Sequence, residues 1–374
     1  MNNRQPLFRV VKKNQVDGRK VILSYLIAVA VALVLGAALL ALMKVNPLDF
    51  YSKMITLGIP GNRYPARSVE GFIRLFVPLL LVSVALSLSF RMRFWNVGGE
   101  GQFIVGAICA AAAAFLLGDV LPTPLVLLAM VVSAALGGGL MGTIASALKV
   151  RYGTSETLMT LMLNYIALYL LRFFGETQGA WNIFLTDDSA RPRFETFPDS
   201  AQMPTMEIGS FSLDVSLLVV VVLCVLVYIY LKYTKHGYEI AVVGDSPNTA
   251  RYAGMKVGRV VMRTVFISAA LVGLAGGFYV SSAGALSTSV TNNVGWTGVI
   301  VAWMAKLSPV GIAVTSVLIT VLQYGCQVAS TTYPNIDSNF ANLLQGMILF
   351  AVLTADFTAR YSLVWRGANK EVSA

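Results

Sequence analysis

Ten long apolar runs constrain this chain more than any other feature: approximately Val21–Met43, Phe72–Phe90, Phe103–Leu117, Pro124–Leu148, Thr157–Phe174, Leu213–Leu231, Thr264–Ala283, Gly298–Leu307, Gly311–Ala329 and Phe340–Phe357. Val21–Met43 alone is 23 residues without a charge, about 35 Å as a helix against a hydrocarbon core of about 30 Å. Inside a bilayer the backbone polar groups must be bonded within each segment, and the runs are too long and too uniformly apolar for barrel strands. The expected fold is therefore all-α: a polytopic membrane protein of about ten helices over residues 21–357, with tails at 1–20 and 358–374. Charged residues are 12% of the chain, where a soluble domain carries about 25%. The first run is too long for a cleavable signal and is expected to remain as an anchor.

Lys/Arg asymmetry orients the spans. Arg4, Arg9, Lys12, Lys13, Arg19 and Lys20 place the N-terminus in the cytoplasm of a plasma-membrane protein. Arg91 and Arg93 return inside after two crossings, Lys149 and Arg151 after four. The loop at 175–212, extended to Asp214, holds Glu176, Asp187, Asp188, Glu195, Asp199, Glu207 and Asp214 against Arg191 and Arg193, and falls outside. Segment 232–263, with Lys232, Lys235, Arg251, Lys256, Arg259 and Arg263, falls inside, as does the tail with Arg360, Arg366 and Lys370. Lys44, Lys53, Arg63 and Arg67 disagree, because the count puts residues 44–71 outside. The net charge of +10 is thus accounted for by topology and gives no indication of nucleic-acid binding. Cys109, Cys224 and Cys326 are dispersed among apolar runs, and His236 is the one histidine. Neither a disulfide framework, a metal site nor a histidine-based triad has material to form.

The eighth run is short. From Gly298 to Leu307 it has ten residues, about 15 Å, and Lys306-Leu307-Ser308-Pro309 breaks it. Half-length helices at membrane depth occur where protein or water surrounds them, and transporters line substrate sites with them. Asn96-Val97-Gly98-Gly99-Glu100-Gly101 precedes the third run and Asn293-Val294-Gly295-Trp296-Thr297-Gly298 the eighth. Those runs have opposite expected directions, so the shared Asn-Val-Gly-x-x-Gly marks either an inverted repeat or a coincidence in a glycine-rich chain.

Between the sixth and seventh runs the chain becomes basic and polar. Ser246-Pro247 reads as a helix start, with serine as N-cap and proline at the first position, and Gly254 reads as the stop. A helix of about two turns is unstable alone in water. It packs either on this chain's own loops or on a partner.

Gly237-Tyr238-Glu239-Ile240, Val243-Gly244 and Ala250-Arg251-Tyr252-Ala253-Gly254-Met255, followed by Gly273-Leu274-Ala275-Gly276-Gly277, resemble the coupling loop of ABC importer permeases of the branched-chain amino-acid, ribose and nucleoside group. Phe94-Trp95-Asn96-Val97-Gly98-Gly99-Glu100-Gly101-Gln102-Phe103 resembles the Asn-Ile-Gly-x-Glu-Gly-Gln signature of that group. Thr154-Ser155-Glu156-Thr157-Leu158-Met159 with Met162-Leu163-Asn164-Tyr165-Ile166-Ala167 resembles a segment of its nucleoside-type members. Trp95, Gly99 and Ala241-Val242 depart from the commoner residues. The resemblance, over roughly 72–357, implies a permease subunit for nucleosides or a related small polar solute. The family's sugar or branched-chain amino-acid transport is the alternative. It also implies ATPase contact through Gly237, Glu239, Gly244, Pro247, Ala250, Arg251, Tyr252 and Gly254. With no Gly-x-x-x-x-Gly-Lys-Ser/Thr loop in the sequence, this chain is expected to hold no cofactor, and ATP to be bound by the partner ATPase. A second permease, identical or related, and an extracytoplasmic solute-binding protein complete the implied set of partners, within membrane lipid.

For the substrate path the candidates are Asn96, Glu100, Gln102, Asn164, Asn292, Asn293, Trp296 and Trp303. Intramembrane polar groups either face a cavity or bond a neighbouring helix, and both roles are open for each asparagine. Glycines at a helix start admit either a solute or tight packing. Trp296 and Trp303 are candidates for stacking on a base or sugar, and Trp296 equally for an interface anchor. Glu100 has a second role open, as a cap or as the partner of Arg91 or Arg93. From other classes, an ATP-independent secondary transporter would need an ion-coupling carboxylate deep in a helix. An enzyme would need a convergent nucleophile, base or metal set. Few candidates exist for the first and none for the second.

Overall fold

The computed structural model describes residues 8–12, 18–58, 65–179, 181–186, 192–208, 211–333, 336 and 339–365. Of the charges used for topology, Arg4, Lys13, Arg63, Asp187, Asp188, Arg191, Arg366 and Lys370 lie outside these residues. The elements in order are β1 (Phe8–Lys12), α1 (Gly18–Leu42), α2 (Pro47–Gly58), α3 (Pro65–Arg91), α4 (Gly99–Leu117), α5 (Thr123–Tyr152) and α6 (Glu156–Glu176). There follow β2 (Thr205–Ile208), β3 (Phe211–Asp214), α7 (Ser216–Tyr233), α8 (Lys235–Asp245), α9 (Pro247–Tyr252), α10 (Val257–Ala283), α11 (Val294–Met304), α12 (Pro309–Ser330), α13 (Asn339–Arg360) and β4 (Tyr361–Trp365). Each expected run falls mainly in one helix, although Leu213–Leu231 begins in β3 and Gly298–Leu307 outruns α11, and eight of the helices are long and apolar enough to cross a membrane. The chain is a multi-pass, all-α membrane protein.

It divides into two units, residues 1–58 with 325–374 and residues 59–324. In the first, α1 packs along α13, and β1 pairs antiparallel with β4. Helix α2 stands within the span 44–71, for which only a loop is expected from sequence. Asn46 caps it, its side-chain oxygen accepting from Leu48 N at 3.1 Å, and Pro47 opens it. Fully buried Phe50 packs its ring against Tyr333 and Phe340. Lys53, one of the charges that disagrees with the topology count, is paired with Asp49 at 3.1 Å and donates to Tyr333.

The second unit is layered by burial. Helices α3, α4 and α10 form its centre, whereas α7 lies at its periphery, with 67% of the α3 span buried against 17% for α7. Helix α10 packs on α3, α4 and α5, and α11 packs on α3 and α4. Small residues permit that approach: a Cβ on Gly106 would meet Gly273 O at 2.3 Å. The described residues of the acidic span 175–212 form a packed cap. Phe184, Phe197 and Ala201 are buried, β2 pairs with β3, and Ser200 and Ser281 bond it to Gly118 and α10.

Helix α11 ends at Met304, and Lys306 and Leu307 adopt positive φ (51° and 59°) before α12 begins. The expected break is present.

Candidate functional site

The two Asn-Val-Gly motifs open α4 and α11, and the helix starts touch. Glu100, in the first turn of α4, accepts from Gly295 N at 2.9 Å across 195 residues of sequence. The first N–H groups of a helix lack intrahelical partners and carry partial positive charge, so an anion is stabilised there. Nothing larger than hydrogen fits at residue 295: a Cβ would sit 2.2 Å from Glu100 N. Neither Arg91 nor Arg93 pairs with Glu100, which corrects that expectation; Arg91 instead donates to Leu307 O at 2.9 Å.

Around the α4 start, Asn96 and Gln102 exchange amide bonds of 3.2 and 3.0 Å, and Asn96 also accepts from Gly98 N at 3.0 Å. Asn164 on α6 accepts from Gly101 N at 2.8 Å and donates to Val97 O at 2.9 Å, while Thr160 accepts from Val97 N. Asn96, Glu100, Gln102 and Asn164 are all buried. Their hydrogen-bonding capacity is directed at backbone and at one another, which fixes where two helices begin. Asn292 and Asn293 lie on the exposed turn before α11 with φ of 42° and 60°, a conformation asparagine tolerates. Trp296 and Trp303 are each 38% exposed. Trp303 stacks on Trp95, a residue that sequence reading left out of the path although it adjoins Asn96.

At the basic end, α8 and α9 replace the single short helix read from sequence. Thr234 Oγ1 accepts from Gly237 N at 3.2 Å to start α8, and Ser246 Oγ accepts from Thr249 N at 3.2 Å to start α9. Gly254 ends it with φ 75°. Glu239 receives Arg263 at 2.8 Å, with His236 at 3.5 Å; this guanidinium foremost holds the carboxyl below its ordinary 4.5. At Gly244 a Cβ would meet Arg91 O at 2.1 Å, so α8 lies directly on the end of α3. Pro247 opens α9, Ala250 is fully buried, Arg251 donates to Asn248, and Tyr252 is 92% exposed. Beside α9 opens a cavity of about 810 Å³ lined by Arg93, Lys149, Glu156, Arg251, Lys256 and Arg259. Its one carboxylate is paired with Lys149 at 2.7 Å.

This arrangement joins a short, exposed, capped helix to paired helix starts inside the membrane. The family model described as branched-chain amino acid transport system / permease component matches residues 68–353, well over half of the chain. The chain is 28% identical to the nucleoside ABC transporter permease protein NupB of Lactococcus lactis subsp. cremoris, covering 89% of this chain and 91% of that one. It is 31% identical to the guanosine ABC transporter permease protein NupP of Bacillus subtilis over 81% and 86%. It is 25% identical to the glucose ABC transporter permease protein TsgB13 of Haloferax volcanii over 93% and 92%.

Proposed function

We propose that this chain, which belongs to the family of branched-chain amino acid transport system permease components, forms the membrane path of an ATP-driven nucleoside importer. It is a transport subunit and not an enzyme. ATP is bound and hydrolysed by a separate ATPase, a solute-binding protein delivers the solute, and a second permease completes the path. Helix α9 is the coupling element. With both ends capped, one face buried through Ala250 and Tyr252 projecting at 92% exposure, it is built as a rigid knob. That observation carries the reading. Closure and opening of the ATPase then bias the helices between two states, a coupling between distant sites through a rigid element. The ATPase side is cytoplasmic, in keeping with Lys232, Lys235, Arg251, Lys256, Arg259 and Arg263, and both termini lie on that side. The cap over 175–212 faces the solute-binding protein.

The nucleoside assignment is supported by the names of the two relatives at 28% and 31% identity and by the exposed Trp95, Trp296 and Trp303. Asn292 and Asn293 are proposed to meet the solute as it enters. The test is uptake by the complex reconstituted with its ATPase and binding protein. Nucleoside uptake that requires ATP and falls when Tyr252→Ala removes the knob is expected. Uptake by this chain alone, or stimulation of ATP hydrolysis only by glucose or leucine, would reject the proposal.

A further inference from the structure

Six residues, 91–96, join the coupling helices to the aromatic face of α11. Met92 and Phe94 are buried in one apolar cluster with Ile240, Val243 and Ala250 of α8 and α9. Trp95 points elsewhere. It is 47% exposed and stacks on Trp303, ring centroids 4.9 Å apart and planes within 11°. Phe90 tilts against Trp303 at 5.6 Å and against Trp95 at 6.3 Å. Asn96, the next residue, holds the start of α4. Three consecutive side chains therefore touch the coupling helices, the indole of α11 and the paired helix starts.

An offset stack of two rings is a modest attraction that another flat ring can replace with little net change. Every nucleobase presents such a face, which makes stacking on aromatic side chains tolerant of base identity. Both indoles are accessible, and Trp296 lies two turns earlier on the same side of α11, equally exposed.

We infer that Trp95 and Trp303 form an aromatic gate on the translocation path, closed by their mutual stack and crossed by a planar heteroaromatic ring that takes the place of one indole. Displacement of α8 and α9 reaches the gate through Phe94. This rests on the nucleoside-importer reading above. It adds that the base, rather than the sugar, is the part the gate recognises.

The experiment uses the whole complex with its ATPase and binding protein in proteoliposomes, with radiolabelled guanosine uptake and ATP hydrolysis measured together. Trp303→Ala and Trp95→Ala each free one indole for the base and are expected to lower KM for guanosine severalfold, whereas the double variant, with neither ring, should raise it about tenfold above either single variant, on the scale of one lost base–aromatic stack. Trp303→Phe, which keeps a ring to close the stack, should stay near the wild-type KM. Phe94→Ala should leave a complex that hydrolyses ATP while uptake falls severalfold. Unchanged KM in both tryptophan variants overturns the gate. So does a lower yield of membrane-inserted complex with unchanged KM, which would mark the tryptophans as lipid anchors. Wild-type complex that moves no nucleoside defeats the functional reading and the gate together, whereas active wild type with indifferent variants defeats the gate alone.

Discussion

The paired helix starts and the coupling helices are both rich in polar residues, yet they use them in opposite ways. Asn96, Glu100, Gln102 and Asn164 are buried and satisfied by backbone groups and one another. Arg251 and Tyr252 stand in solvent beside a basic cavity. A buried polar group left without partners is costly, so inside the bundle polarity is committed to fixing backbone. At the surface no such penalty applies, and side chains remain available for another protein. Polar residue type alone does not separate a site from a strut; burial and partners do.

The comparison is broken most severely by filling the contact between the two starts. Gly295→Ala puts a methyl group 2.2 Å from Glu100 N and is expected to destabilise by about 3 kcal/mol, seen as a lowered unfolding temperature in detergent. Glu100→Ala removes the carboxylate from the α11 start and should lose about 2 kcal/mol, with Glu100→Gln losing less because one acceptor remains. Equal losses in the two would show that the negative charge, and not an acceptor as such, carries the effect at the helix start, whereas an unchanged Glu100→Gln would make the charge unimportant.

At the coupling end, effects should be smaller and local. Ser246→Ala removes the α9 cap, a loss of about 1 kcal/mol confined to that helix. Global unfolding should hardly move while co-purification with the ATPase weakens. A lowered global transition would instead make α9 part of the core. Least of all, Glu239→Gln should remove a small stabilisation at neutral pH and with it part of the acid dependence. Because Arg263 depresses its folded pKa below the ordinary 4.5, Glu239 contributes stability that is present above that value and lost as pH falls through the folded one. The variant should flatten the decline in stability below about pH 4.5, measured by thermal unfolding across pH.

Much of the scaffold is readable before folding. Ser246-Pro247 and Gly254 mark α9 because capping is local, and Lys306-Leu307-Ser308-Pro309 marks the break after α11 for the same reason. Asn46-Pro47 carries the same start signal for α2 as Ser246-Pro247 does for α9, but Asp49 and Lys53 interrupt the apolar pattern and conceal it. Helix α8 was hidden because Lys235-His236-Gly237 does not look helical; Thr234, which caps it, was the available cue. Trp95 could have been noticed beside Asn96, though nothing in the sequence pairs it with Trp303.

Sequence by itself determined the membrane-spanning helices, because hydrocarbon leaves a long apolar run no other way to bond its backbone. It also determined the capped knob, whose signals lie within a few residues of one another. Tertiary structure alone decided that Glu100 bonds the start of α11, that Trp95 meets Trp303, and that α8 rests on the end of α3. Those contacts join residues far apart in the chain, and no periodicity or local propensity encodes which of several packed helices will bring them within reach.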